Sequence, residues 1–243
     1  MSEKGIGPSE IWHFVNDLRS ELKIPVKYVI QIKFEDNPKE KGHILIKDKK
    51  VLGSALSFDK RVKVPTDVLY HSLSHAKHYS MGFPHVLAKT EIKGHDWFLY
   101  YTLNEYNTNL IELLHFRDRF VGFLKRHKMI VYELSKKSEK SFAKSFSKLS
   151  EQIKVEVLSD MFRFKVLCDD LDLGSAPYDF CLRALKKEYY RVLGYDFVKE
   201  GKKLYEEKLP ALPKDRYSAK DIETILNFFD EQKRKKLKIF FWE

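Results

Sequence analysis

The sequence predicts an α+β protein, with a small antiparallel sheet among helices in the N-terminal half and an all-helical C-terminal half. Three patterns support this class: helical spacing of apolar residues before residue 23, short β-branched and aromatic runs between residues 26 and 65, and helical spacing again from residue 66 onward. The polar stretch E-L-S-K-K-S-E-K-S at residues 133–141 is typical of a linker. We therefore predict one domain at residues 1–134 and a helical domain at residues 135–243.

The elements of the N-terminal half follow from local signals. Ser9 is a suitable N-cap for a first helix that continues to Leu22. Four short runs then alternate with turn residues and predict the strands of the sheet: V-K-Y-V-I-Q-I-K-F, G-H-I-L-I-K-D, V-L-G-S-A-L-S-F and R-V-K-V-P. Thr66 and Asp67 provide capping groups for the next helix, which we expect to end near Gly82.

Four further helices are predicted downstream. The periodicity places them at about residues 98–127, 141–168 and 177–192, with a last helix capped by Ser218. The chain then ends in L-K-I-F-F-W-E, and three aromatic side chains are costly to leave in water. We expect this tail either to dock back on the protein or to form a subunit contact.

Composition narrows the classes of function. No apolar run is long enough to span a membrane, and no signal peptide is recognisable. Cys168 and Cys181 form no C-x-x-C pair, so we expect a reducing, cytoplasmic compartment. The net charge of +10 permits nucleic-acid binding, but the 45 basic residues are interleaved with 35 acidic ones. This charge therefore supports a nucleic-acid partner only weakly.

The segment H-S-L-S-H-A-K-H at residues 71–78 carries the clearest chemical signal. On a helix, His71 and His75 lie one turn apart and can bind one ion, as in the H-E-x-x-H motif of zinc hydrolases. His78 follows on the same face and adds a third imidazole. The alternative is structural: these histidines pack beside aromatic residues such as Tyr70 and Tyr79, with hydrogen bonds to backbone or water.

The helix that follows adds the motif Asn104-Glu105-Tyr106-Asn107-Thr108-Asn109, in the pattern E-x-x-x-N. The order of helix, small meander, H-x-x-x-H helix and E-x-x-x-N helix resembles the gluzincin metallopeptidases, in particular the minigluzincins and the ImmA/IrrE type. The resemblance covers about residues 8–120. It implies a zincin-like fold in which His71, His75 and Glu105 bind Zn²⁺ and Asn109 supports the ligands from behind.

A second glutamate competes for the role of third ligand. Glu156-Val-Leu-Ser-Asp160 also has the spacing E-x-x-x-D, and the sequence after it is similar to larger membrane gluzincins. We prefer Glu105 because its helix follows the histidine helix directly, whereas Glu156 requires a long intervening segment.

The motif departs from the family at Ser72, which occupies the position of the general-base glutamate. A serine hydroxyl is not basic near neutral pH, so it cannot take a proton from a metal-bound water. His78, or Glu91 and His95 in the next loop, are weak candidates for a replacement base.

The sequence thus predicts a degenerate metal-binding protein, without peptidase activity, that acts as a binding or regulatory protein for an unknown protein or peptide partner. One alternative is an active metal-dependent hydrolase that uses another base such as His78. A second is a basic helical module without metal that binds nucleic acid or protein.

Overall fold

A computed structural model of the chain places a small sheet among the helices of the N-terminal half. The structure describes residues 5–36, 42–48, 50–88, 95–136, 138–193, 212–229, 231–235 and 237–242. In chain order the first elements are β1 (Gly5–Ile6), α1 (Ile11–Glu21), β2 (Val29–Glu35), β3 (Gly42–Lys47), β4 (Lys50–Asp59), β5 (Val64–Pro65), α2 (Thr66–Ser80) and β6 (His85–Ala88). The mixed α+β class is therefore confirmed. The cap of α1 differs from expectation, because Glu10 rather than Ser9 precedes its first residue.

The main sheet has three strands in the order β2-β4-β3. Strands β3 and β4 form an antiparallel hairpin, but β4 runs parallel to β2, with Val29 opposite Gly53. The expectation of an antiparallel sheet is thus wrong for one of its two pairings. β-branched residues suit parallel and antiparallel strands alike. The direction of the pairing depends on the strand order, because β4 and not β3 lies beside β2. Glycine is required at residue 53, since a Cβ there would lie 1.8 Å from the carbonyl oxygen of Val29.

The fourth predicted strand does not join this sheet. Its residues Val64 and Pro65 pair instead with β1 in a short antiparallel ladder. Pro65 then precedes the first residue of α2 in an extended conformation, with φ −60° and ψ 132°. This ladder therefore fixes the start of the helix that carries the histidines.

From residue 95 onward, the described elements are mainly helices. They are α3 (His95–His115), α4 (Arg117–Ser135), α5 (Glu139–Ser147), α6 (Glu151–Asp170), α7 (Ala176–Leu193), α8 (Ala219–Leu226) and α9 (Glu231–Arg234), followed by the strand β7 (Leu237–Phe240). In the described residues, no helix is both long enough and apolar enough to cross a membrane.

Two of the predicted helices are each divided in the structure. The helix expected at residues 98–127 breaks at Phe116, whose φ of −131° and ψ of 42° are not helical. The helix expected at residues 141–168 breaks before Ser150, whose side chain accepts a hydrogen bond from the backbone N–H of Ile153 and caps α6. Apolar spacing continues through both breaks, so periodicity alone could not locate them. The helix expected at residues 177–192 and the cap at Ser218 are confirmed.

The C-terminal tail docks back on the N-terminal half. Strand β7 pairs antiparallel with β6, placing Phe240 opposite His85, and the Trp242 ring lies 5.8 Å from that of Tyr28. The docking alternative is therefore confirmed. The expectation of an all-helical C-terminal half is wrong at this strand, because the tail completes a ladder with a distant partner that local pattern does not reveal.

Two hydrophobic clusters lie on either side of α3. Tyr100 and Leu103 belong to a cluster with α1, the main sheet, α2 and residues of the C-terminal segment such as Phe240. Phe98 and Leu99 belong to a second cluster with α4, α6 and α7. Helix α3 is thus held from both sides, which fixes the residues it presents to α2. The domain division at residues 134 and 135 stays a prediction.

Candidate metal centre

His71 and His75 lie one turn apart on α2, and their rings meet edge to face. The Nε2 atoms are 3.2 Å apart, and the ring planes are inclined by 83°. The pair is local in origin, because residues four apart on a helix project from the same face.

Glu105 on α3 brings its carboxylate to both imidazoles. Its Oε2 lies 3.3 Å from Nε2 of His71, and its Oε1 lies 3.1 Å from Nε2 of His75. A tetrahedral zinc ion with bonds of about 2.0–2.1 Å places its ligand atoms roughly 3.3 Å apart. The three side chains therefore form a group that could hold a metal ion.

The outer nitrogens of both imidazoles are held by α3. Nδ1 of His71 lies 3.1 Å from Oε2 of Glu112, and Nδ1 of His75 lies 3.0 Å from Oγ1 of Thr108. Thr108 donates its own proton to the carbonyl of Asn104, so its oxygen accepts from His75. Glu112 as a carboxylate can only accept. Both imidazoles therefore donate from Nδ1 and keep Nε2 for the centre of the group, as metal-binding histidines commonly do.

The charges within the group favour the ionised forms of Glu105 and His71. Burial would raise the pKa of the Glu105 carboxyl, but the two imidazoles and Arg163 hold it well below its usual range. Burial would lower the pKa of His71, but the carboxylates of Glu112 and Glu105 raise it to about 10. His71 is therefore protonated near neutral pH without a metal, and a bound ion replaces its proton.

Asn109 supports the metal group indirectly, through contacts with Glu112 and Arg163. Its Nδ2 donates to Oε2 of Glu112 at 2.8 Å, and its Oδ1 accepts a hydrogen bond from Arg163. Arg163 reaches in from α6, is almost fully buried, donates to Asp160 at 2.8 Å and lies 3.5 Å from Oε2 of Glu105. This arginine connects α6 to the metal group.

The other predicted ligand lies elsewhere. Among the residues that the structure describes, Glu156 does not belong to the group; it is half-buried on α6 and accepts a hydrogen bond from Gln152 at 3.0 Å. The structure therefore brings Glu105, and not Glu156, to the two histidines. The order of the helices along the chain had favoured the same choice.

His78 faces a separate buried network. Its Nδ1 lies 3.1 Å from Oδ1 of Asn104 and its Nε2 lies 2.6 Å from the hydroxyl of Tyr217. Burial, with a smaller effect of His75, lowers its pKa to about 3. Seven residues of helix separate His78 from His71 by about 10 Å along the axis, so a shared face does not bring both to one ion.

Of the other positions considered for a base, the structure describes the side chain of Ser72 but not those of Glu91 and His95. Ser72 lines a cavity of about 400 Å³ next to His71. Glu91 and the side chain of His95 lie outside the described residues.

Sequence reasoning missed three residues of this site: Thr108, Glu112 and Arg163. A signal existed for Glu112, since it lies seven residues after Glu105 and therefore near the same face of the helix. Thr108 is likewise three residues from Glu105. Arg163 carries no such signal, because it enters from a helix more than fifty residues downstream.

No protein-family model matches the chain, nor does any curated protein or solved structure. The resemblance to gluzincins therefore rests on two features of the chain itself. One is the spacing of the two motifs, and the other is the convergence of His71, His75 and Glu105.

Proposed function

We propose that the chain is a degenerate zincin-like protein that binds Zn²⁺ through His71, His75 and Glu105, lacks peptidase activity, and acts as a binding or regulatory protein for a protein or peptide partner. The observation that supports it best is the mutual spacing of 3.1 to 3.3 Å between the three ligand groups. That spacing suits a tetrahedral ion, and three protein ligands leave one position open, as in catalytic zinc sites.

The residues around the ligands orient them and balance their charge. Glu112 and Thr108 orient the imidazoles, and Arg163 balances the charge of Glu105. A bound zinc would supply Lewis acidity at its open position. Ser72 supplies no basic group there, and losing general acid-base catalysis costs about 10² to 10⁴ in rate. Binding without turnover follows from this combination.

Direct measurement of metal binding tests the ligand set. Protein stripped with a chelator is titrated with zinc against a chromophoric competitor. We expect one equivalent for the native chain and a large loss of affinity for His75→Ala and Glu105→Gln, while Glu156→Gln matches the native chain. A native chain that takes up less than about a tenth of an equivalent, or a His75→Ala variant with native affinity, would contradict the proposal.

A gain-of-function change tests the missing base. Ser72→Glu restores the H-E-x-x-H spacing, and Ser72→Gln provides a control of the same shape without basicity. We expect zinc-dependent cleavage of a peptide library by Ser72→Glu at about 10²-fold or more above both the native chain and the control. Cleavage by the native chain that chelator abolishes would instead favour an active hydrolase.

The hydrolase alternative needs a base other than Ser72. His78 offers no free nitrogen for this task, because Asn104 and Tyr217 engage both of its ring nitrogens. No contact among the described residues therefore favours that alternative over the metal-binding proposal.

The net charge of +10 permits nucleic-acid binding, a separate candidate function that it supports only weakly. Affinity for DNA or RNA that falls steeply with salt would support it, and affinity that does not change with salt would exclude an electrostatic interface. We also propose a cytoplasmic location, which the two free, buried cysteines support.

A further inference from the structure

A cavity of about 400 Å³ lies between α2, α3, α4 and α6, and it adjoins the metal group. Its walls include His71, the partner Glu112 and the neighbouring Ser72. The imidazole of His127 and five tyrosine or phenylalanine rings also line it: Tyr70, Phe116, Phe120, Phe123 and Phe164. A cavity of about 150 Å³ already accommodates benzene, so this one has room for a ring with a short chain attached.

The aromatic lining favours a flat apolar group as the occupant. Aromatic side chains attract other rings by stacking and edge-to-face contacts, in addition to the area they bury. Phe123 is a suitable probe of this contact, since it lies on α4, is only half-buried and makes no hydrogen bond to the metal group. These rings therefore favour an aromatic group as the part of a ligand that lies among them.

The charges near the cavity favour one negative group, provided that a metal is present. Three guanidinium groups oppose four carboxylates; one carboxylate belongs to the third metal ligand, and one guanidinium lies outside the lining but is paired with Asp67. These charged residues are Arg119, Arg126, Arg163, Asp67, Glu112, Asp160 and Glu105. A divalent ion bound beside a neutral His71 turns this balance into an excess of one positive charge, which suits one anion. Ser72, smaller than the glutamate of the family motif, leaves space beside His71 for an anionic group.

We propose that this cavity binds a small aromatic monocarboxylic acid, with the ring among Tyr70 and the phenylalanines and the carboxylate at the end formed by His71 and Ser72. The inference rests on the proposed metal site, because the cation supplies the excess positive charge that attracts the acid. A protein without turnover would then use this site to sense such an acid rather than to cleave it.

Calorimetric titration with 4-phenylbutanoate and butanoate tests the proposal on the full chain. We expect zinc-loaded protein to bind 4-phenylbutanoate about ten- to a hundredfold more tightly than butanoate, since burial of a ring is worth about 1.5–3 kcal/mol. We expect metal-free protein to bind it at least about tenfold more weakly than zinc-loaded protein does. Equal affinities for the two acids, or no binding at millimolar concentration, would overturn the inference.

Matched variants separate this inference from the metal site. Phe123→Ala should weaken 4-phenylbutanoate binding about tenfold without changing zinc affinity. Tyr132→Ala removes an exposed ring from the same helix, outside the cavity lining, and should change neither affinity. If zinc binds and the acid does not, the cavity inference fails alone; if zinc does not bind, both proposals fail. Native acid affinity in a folded Phe123→Ala protein would also overturn the cavity inference.

Discussion

Oε2 of Glu112 lies 3.1 Å from Nδ1 of His71, and the same oxygen accepts a hydrogen bond from Asn109 at 2.8 Å. The carboxylate thus holds the imidazole from behind, while Nε2 faces His75 and Glu105. Because this contact joins α2 to α3, the packing of these two helices sets the orientation of the first ligand.

Removal of the Glu112 charge should weaken metal binding. Glu112→Gln retains the shape of the side chain, but its amide accepts a hydrogen bond from His71 less strongly and no longer raises ligand basicity. We expect zinc affinity to fall about 10- to 100-fold in a competition titration. Glu133→Gln, an exposed change on α4, is the control and should retain native affinity. Native affinity in Glu112→Gln would show that this contact does not tune the site.

Zinc binding should release a proton between about pH 7 and 9. Glu112 and Glu105 raise the pKa of His71 to about 10, so the metal-free protein carries a charged imidazole over this range. Since a ligating imidazole must be neutral, zinc affinity should rise roughly tenfold per pH unit there.

Calorimetry in buffers of different ionisation enthalpy counts the released proton directly. In metal-free protein the same shift predicts a stabilising effect that is complete below pH 6.5 and is lost as pH rises towards 10. A binding enthalpy that does not depend on the buffer would contradict proton release from His71.

The buried His78 should make the metal-free protein sensitive to acid. Burial lowers its pKa to about 3, so the unfolded state gains a proton near pH 6.5 while the folded state does not. The stabilising effect is therefore present above pH 6.5 and is lost as pH falls towards 3. At about 1.4 kcal/mol per pH unit, we expect the contribution of His78 to fall by about 2 kcal/mol between pH 7 and 5.

Urea unfolding of the native chain and of His78→Gln at both pH values isolates this effect. The variant should be less stable at pH 7, because the contacts with Asn104 and Tyr217 change, but it should lose less free energy of unfolding on acidification. Equal losses in the two proteins would mean that His78 titrates alike in folded and unfolded chains.

Loss of Arg163 should destabilise the metal-free protein more than the zinc-loaded one. Arg163→Met removes one of the cations beside the buried carboxylate of Glu105 and breaks the contacts with Asp160 and Asn109. We expect a loss of about 3 kcal/mol in the free energy of unfolding without metal. The deficit should shrink with zinc, because the ion neutralises Glu105. Arg183→Met, on an exposed face of α7, is the control.

A deficit for Arg163→Met that zinc leaves unchanged would separate this arginine from the metal group. It would then act only as a packing contact between α3 and α6. Denaturant unfolding with chelator and with saturating zinc distinguishes the two cases.

The sequence by itself determined the features that depend on neighbours along the chain. The spacing of His71 and His75 fixes their common face, because helix geometry is local. The capping chemistry of Ser218 is local in the same way. Ser72 also shows from sequence alone that the position of the general base holds no basic group.

Only the tertiary structure decided what depends on contacts between distant segments. It brought Glu105 rather than Glu156 to the histidines, placed Glu112 and Arg163 behind them, and paired the C-terminal strand with β6. The tertiary structure also decided the direction of β2 relative to β4 and the breaks within two predicted helices. β-branched composition is the same in parallel and antiparallel strands, and apolar spacing is the same in a divided and an undivided helix. The reason is physical: a helix repeats every 3.6 residues wherever it lies, whereas a site needs side chains from helices whose relative placement is set by the packed core.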